Sequence, residues 1–449
     1  MPNNMILLET IALTQSAASV TFDNLPTSGY TDLKIVVSGR TTAATDFASI
    51  AISFNGSSAS FTNKLLQGDG SSVVSASLTN YGGAVGGTST TASTFSNVEI
   101  YIPNYRSSNN KSFSVDSVVE NNATAARTTL AAGLWSQTAA ITSIGLAPGS
   151  GSFDANSTFS LYGIAALGTT PVLAPKATGG NRVENDGTYW IHTFLTSGVF
   201  TPQTGLTCDV LVVAGGGGGG KFIGGGGGAG GFRTATGFSV ASATNYSVTV
   251  GAGGAKGTPY FGISGSDSIF STITSTGGGG GASYDDASGG SAYTTGRTGG
   301  SGGGGAPTNT DNQQGPGGAG NTPSTSPSQG NSGGYGVKVS NYGGGGGGGA
   351  GGSGSVSTGT NGGAGGSGSA SSITGTSVTY AGGGGGGINT TNTPGAGGSG
   401  GGGSGATSTT LVGGNGTANL GGGGGGGGYS AANGGAGGSG VVIIRYPIA

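Results

Sequence analysis

Glycine in long unbroken runs is the feature that most limits what this chain can fold into. The runs occupy 215–220, 224–228, 277–281, 302–305, 343–349, 382–387 and 421–428. They carry no side chain to bury, so neither the alternation of a half-buried strand nor the 3.6-residue period of an amphipathic helix can be read in them. Ordering them is costly: fixing a residue's backbone takes about 1–2 kcal/mol, and glycine loses the most freedom. Two outcomes remain. The runs form a flexible coil of the Gly/Ser linker kind, or they pack backbone against backbone, which glycine permits because no Cβ holds the chains apart.

Distribution and punctuation favour packing. Of the 109 glycines, 20 lie in residues 1–209 and the other 89 follow. Isolated apolar residues interrupt the glycine region at Phe222, Ile223, Phe232, Phe238, Tyr246, Val248, Val250, Phe261, Ile269, Phe270, Tyr342, Tyr380 and Leu411. A linker has no use for such anchors. Two near-continuous apolar runs, 209–214 and 441–446, bracket the region and read as strands buried on both faces. They are expected to lie close together and close the glycine region off as an insertion. The ordered form is a bundle of polyproline-II-like glycine helices, with three residues per turn and no internal hydrogen bonds. Their amides must then pair with neighbouring chains. Roughly ten such runs, joined by Ser/Thr/Asn-rich turns, make a slab with loops at both ends.

Residues 1–165 read differently. Runs at 33–38, 49–54, 98–102 and 112–118 alternate apolar with polar, and Asn55-Gly56 and Gly68-Asp69-Gly70 supply turns. Many short strands without a helical period predict a β-sandwich or jelly roll. Residues 166–180, with Pro171 and Pro175, read as a linker, and 181–449 as the glycine domain, framed by strands within 189–214 and at 441–446. The predicted class is therefore all-β: a sandwich followed by a strand-framed polyglycine bundle.

Charge is sparse, with 14 Lys and Arg against 16 Asp and Glu, a net charge of -2. Nucleic-acid binding needs a basic stripe, and none is present. The single cysteine, Cys208, excludes an intrachain disulfide and reads as a small core residue. No apolar run reaches the ~18 residues of a membrane helix, and the first residues lack the basic and apolar blocks of a signal peptide. Catalytic groups are equally scarce. The only histidine, His192, shares a strand face with Trp190 and Phe194 and reads as structural. Gly-x-Ser-x-Gly at 397–401 lacks the strand–turn–helix setting of a nucleophile elbow. Asp116 and Glu120 lack the context of a glycosidase pair. The expectation is a protein that is not an enzyme and has no cofactor or metal. Aromatic residues in loops are where contacts with a ligand would concentrate. The candidates are Tyr284, Asp285, Asp286, Tyr293, Arg297, Tyr335 and Lys338, in longer polar loops. Tyr342, Tyr380 and Tyr429 abut glycine runs and are equally suited to plugging a layer end.

Two stretches resemble known families. Gly187-Thr-Tyr-Trp-Ile-His-Thr-Phe, Asp209-Val-Leu-Val-Val-Ala followed by glycines, and the closing Gly440-Val-Val-Ile-Ile-Arg-Tyr446 resemble the glycine-rich domain of phage tail-fibre and tip-adhesin proteins. Glu99-Ile-Tyr-Ile-Pro-Asn-Tyr105, Ala132-Gly-Leu-Trp135 and Thr158-Phe-Ser-Leu-Tyr-Gly-Ile164 resemble a β-domain of aquatic phage structural proteins. The resemblance implies a virion fibre or tip protein, extracellular after lysis. In it, loops between glycine helices would meet a host cell-surface glycan or outer-membrane protein. Other virion proteins would be partners, the chain a homo-oligomer such as a trimer, with no nucleic acid bound and no membrane insertion. The alternatives are a capsid or tail decoration protein or a filament subunit with a purely structural role. Ice binding by a flat Thr/Ala face is disfavoured by the irregular loops.

Overall fold

The computed structural model describes residues 5–23, 25–119, 126–165, 174–257, 261–284, 293–311, 313–339, 341–429 and 433–448. The fold is all-β, built from several antiparallel sheets, with no helix among the described residues. The chain divides into two compact units: Met1–Lys176 with Asn181–His192 and Pro447–Ala449, and Ala177–Gly180 with Thr193–Tyr446.

In the first unit, alternating sequences become strands with one face in the core. Lys111–Val119 and Ser96–Ile102 show it most plainly, burying every second residue. One sheet takes the order Arg182–Asn185, Met5–Ala12, Thr158–Ala165, Tyr30–Gly39, Ser96–Ile102, Lys111–Val119, Arg127–Trp135, Phe61–Gly68, Val73–Leu78. The other is shorter: Val20–Phe22, Ile144–Pro148, Phe47–Phe54, Tyr81–Gly86. Their facing side chains form a single core. Phe54, Phe61, Phe113 and Trp135 meet in it mostly edge-to-face, a geometry that adds to the gain from burial. The expected Asn55-Gly56 turn is a two-residue reversal with φ of 53° and 73°, which Asn and Gly tolerate best. Two buried cations knit loops together. Lys111 Nζ donates to the carbonyls of Ser107, Asn109, Thr138 and Ala139. The Arg40 guanidinium donates to Thr90, Thr91 and Thr94.

Two boundaries differ from the sequence reading. Residues 181–192, expected in the glycine domain, fall in the first unit because Arg182–Asn185 pairs with Met5–Ala12. The expected linker 166–180 is in part structured: Ala177–Thr178 pairs with Gly198–Pro202 in the second unit. Its residues 166–173 lie outside the described residues.

In the second unit, Val441–Pro447 pairs antiparallel with Leu206–Val213, with Asp209 opposite Arg445 and Val213 opposite Val441. Phe232–Val240 pairs with the other side of Leu206–Val213. Cys208 is fully buried there, and burial pushes its thiol up to about 12, so it is inert. His192, just outside this unit, is also fully buried.

The glycine runs pack as regular helices with a three-residue period. In run 214–220, Gly215 and Gly218 donate to Ser266 and Ile263 of one neighbour. Gly216 and Gly219 donate to Gly438 and Gly435 of a second, and Gly217 and Gly220 to Gly228 and Gly225 of a third. Gly254, Gly278 and Gly424, in three more neighbours, donate back to Gly216, Gly215 and Gly217. Partners recurring every third residue are the signature of a polyproline-II helix bonded laterally to its neighbours. An enclosed run therefore faces backbone on every side, and a Cβ at Gly216 would meet Gly422 O at 2.1 Å. Runs at the periphery need glycine on one face only. In 251–257, Gly251, Gly254 and Gly257 are buried while Ala252, Ala255 and Lys256 are exposed. Runs of this mixed kind, such as 251–257 and 394–399, lie in the bundle beside the unbroken glycine runs.

Candidate functional site at the loop end of the glycine bundle

Run 214–220 leaves the strand Leu206–Val213, and run 433–440 enters the strand Val441–Pro447. The strand frame thus occupies one end of the bundle. Successive runs reverse, so the turns around Phe222, Thr308, Val339, Thr360, Thr390, Thr410 and Tyr429 gather at the other end. Hydrogen bonds tie them to one another. Tyr284 N–H donates to Phe222 O at 3.1 Å, Ile223 N–H to Gly428 O at 2.9 Å, and Gly428 N–H to Leu411 O at 2.8 Å. Ser408 N–H donates to Thr390 O at 3.0 Å, and Asn389 N–H to Tyr342 O at 3.2 Å.

An aromatic layer closes this end. Phe222 lies 6.2 Å from Tyr284 and 5.7 Å from Tyr429, and Tyr284 lies 5.0 Å from Tyr342. Ile223, Ala282 and Ala306 pack with Tyr284 in a small apolar cluster, against which Phe222 and Tyr342 rest, and it covers glycine helix ends that have no side chains of their own. The turn that starts the layer is strained. Phe222 and Ile223 take φ of 55° and 49° in succession, a left-handed conformation that bulky and β-branched residues rarely adopt. Such residues cost on the order of 1–3 kcal/mol each and persist only where the surroundings hold them. Here Ile223 is fully buried, and Phe222 is held between two tyrosine rings.

The sequence-predicted residues separate into distinct roles. Tyr284 is only 4 % exposed, and its hydroxyl donates to Asn309 Oδ1. It plugs a layer end, the role weighed for Tyr342, Tyr380 and Tyr429, and is no platform for a ligand. Lys338 is engaged as a staple. Its ammonium donates to Asn309 O at 2.8 Å, pairs with Asp311 at 3.0 Å and sits 5.0 Å from the Tyr342 ring. The hydrogen bond to Asp311 raises its pKa. Tyr293 and Arg297 are brought together by Phe261, whose ring lies 5.2 Å from Tyr293 and 5.1 Å from the Arg297 guanidinium. Tyr335 is exposed. Asp285 and Asp286 lie outside the described residues. Tyr380 is buried, and burial raises its pKa, so it serves as a plug.

The exposed apolar residues are largely others. Val412 is 57 % and Tyr429 49 % exposed, and Leu411, next to Val412, and Val339, in another turn at this end, are exposed as well. Leu411, read as an anchor from its isolation, instead takes a φ of 60° and points an apolar side chain to solvent. Its loop is rigid: Thr407 N–H donates to Thr410 Oγ1, and Thr410 N–H to Thr407 Oγ1. The signal was available in Thr407-Ser-Thr-Thr-Leu-Val412, an apolar pair in a hydroxyl-rich turn with no alternation to bury it.

A strand-clamped bundle of laterally bonded glycine helices, capped by aromatic plugs and fringed with apolar loops, defines a glycine-rich domain. The chain matches the family model of the glycine-rich domain over residues 194–447, more than half its length, and belongs to that family. No curated protein matches the chain.

Proposed function

We propose that the chain is a phage virion fibre or tip protein, a non-enzymatic adhesin whose glycine bundle presents loops to a receptor on the host cell surface. The observation that carries this reading is the set of solvent-facing apolar side chains, Val339, Leu411, Val412 and Tyr429, in the turns at the end away from the strand frame. Single exposed apolar side chains are ordinary, but several gathered at one end of a protein mark an interaction surface. The first unit attaches the chain to other virion proteins or joins copies of it, and the protein acts outside the cell after lysis. A purely structural role, as a decoration protein or filament subunit, is favoured by a separate feature, the uncovered strand Val73–Leu78.

The test uses the full chain, fluorescently labelled, on a panel of candidate host bacteria. The comparison is with a variant carrying Val339→Ser, Leu411→Ser and Val412→Ser, which leaves the aromatic layer intact. The wild type is expected to label a subset of strains, and the variant to label them at least about tenfold more weakly while melting like the wild type. Equal labelling by both removes the loop end as the binding surface. A wild type that labels nothing but coats particles or forms filaments replaces the adhesin with the structural role.

A further inference from the structure

The first unit leaves one long strand uncovered. Val73–Leu78 ends the larger sheet and pairs with Phe61–Gly68 on one side, and among the described residues no strand pairs with its other side. Its side chains stand out on both faces, with Val73 73 % and Val74 48 % exposed. Proteins usually blunt such an edge with lysine, proline, a bulge or a cover, because its open N–H and C=O groups template another strand. Val73-Val-Ser-Ala-Ser-Leu78 contains no charge and no proline, and its register against Phe61–Gly68 runs without a bulge. In the smaller sheet the end strands are protected: Val20–Phe22 is three residues long, and Tyr81–Gly86 is buried throughout. Nor does the open strand fray at its turn. The Asp69 carboxylate accepts from the N–H groups of Ser71 and Ser72 and from both hydroxyls, which fixes the hairpin.

We infer that Val73–Leu78 is a dimerisation edge, and that its partner is the same strand of a second copy, paired antiparallel about a twofold axis through Ala76. The register argues for this partner. Val73, Ser75 and Ser77 share a sheet face with Gly68, Leu66 and Lys64, while Val74, Ala76 and Leu78 share the opposite face with Gln67, Leu65 and Asn63. A twofold axis perpendicular to the sheet preserves faces. Centred on Ala76, it sets Val74 against Leu78 of the partner subunit and Ser75 against Ser77 of the partner subunit. Apolar meets apolar and hydroxyl meets hydroxyl, pairings that stabilise neighbouring strands. The axis uses up the edge in a closed pair, so this interface yields dimers rather than the trimer expected from the resemblance.

Sedimentation velocity on the full chain tests it, with two variants that differ at one position. The like-charge variant, Ser75→Lys with Ser77→Lys, places two lysines opposite each other at each end of the axis. The opposite-charge variant, Ser75→Lys with Ser77→Asp, places a lysine opposite an aspartate. Both positions are exposed, and thermal melting checks that each variant folds. The wild type is expected to be a dimer at micromolar concentration, the like-charge variant to dimerise at least about tenfold more weakly, and the opposite-charge variant to recover. A monomeric wild type overturns the inference, as does an oligomer indifferent to both variants. Equal loss in both variants overturns the register, and with it the second copy as partner. The readout needs no host cell, so it stands or falls apart from the adhesin reading.

Discussion

At the scale of the residue, the bundle makes glycine obligatory for a steric reason rather than a conformational one. Few glycines inside it need a left-handed φ; what excludes a side chain is the neighbouring carbonyl. A Cβ on Gly217 would sit 2.3 Å from Gly279 O, inside any permissible contact. Gly217→Ala must push two hydrogen-bonded backbones apart and is expected to cost about 3 kcal/mol or more. Gly205, in the same unit, has Val240 O at 3.9 Å as its nearest neighbour. Gly205→Ala is expected to be neutral or to stabilise by up to about 1 kcal/mol, because alanine restricts the unfolded chain. Urea denaturation of the two variants beside the wild type checks both values. Similar losses in the two would mean that glycine's flexibility, and not its lack of a side chain, is what the fold uses.

Among elements, the pairing of Met5–Ala12 with Arg182–Asn185 concentrates unusual charge. Glu9 and Glu184 are cross-strand partners, and Arg182 bridges them at 2.7 and 2.9 Å. Burial dominates at Glu9 and pushes its carboxyl up to about 8, against the pull of Arg182. The folded unit therefore keeps a proton that the unfolded chain has released above its ordinary carboxylate range. Stability contributed here is complete at low pH and is lost as pH rises through the folded value. Urea midpoints of the first unit are expected to fall between about pH 5 and pH 8, and Glu9→Gln to flatten that fall. A midpoint rising over the same interval would rule out a proton held at Glu9. Nothing in the sequence announced this pair, since Glu9 and Glu184 are 175 positions apart and only strand pairing joins them. The alternating strands were legible because burying every second residue writes itself into composition, as in Lys111–Val119. The clamp of Val441–Pro447 on Leu206–Val213 was legible because both are apolar on both faces. Which tyrosine plugs and which is displayed was not. Tyr284 and Tyr429 each follow a run of small residues, and only the three-dimensional neighbours decide that one is enclosed by Phe222 and Tyr342 while the other stays half open.

For the molecule as a whole, the three-residue period sets rules for how the chain can lengthen or shorten. A deletion or insertion ordinarily shifts every residue beyond it onto a wrong face. In enclosed runs such as 343–349 every site holds the same residue, so an added glycine occupies the next lattice site and moves the adjoining loop outward by about 3.1 Å. In a peripheral run such as 251–257, one added glycine rotates Lys256 by a third of a turn onto the buried face that Gly257 occupies, and three added residues restore the phase. Inserting one glycine within 343–349 is expected to leave the melting temperature nearly unchanged, and inserting one after Gly253 to lower it sharply, with partial recovery when three are inserted. Equal damage at both sites would mean that the bundle reads individual positions. If the asymmetry holds, the gene can slip within its glycine tracts and reposition loops one step at a time without first passing through an unfolded protein.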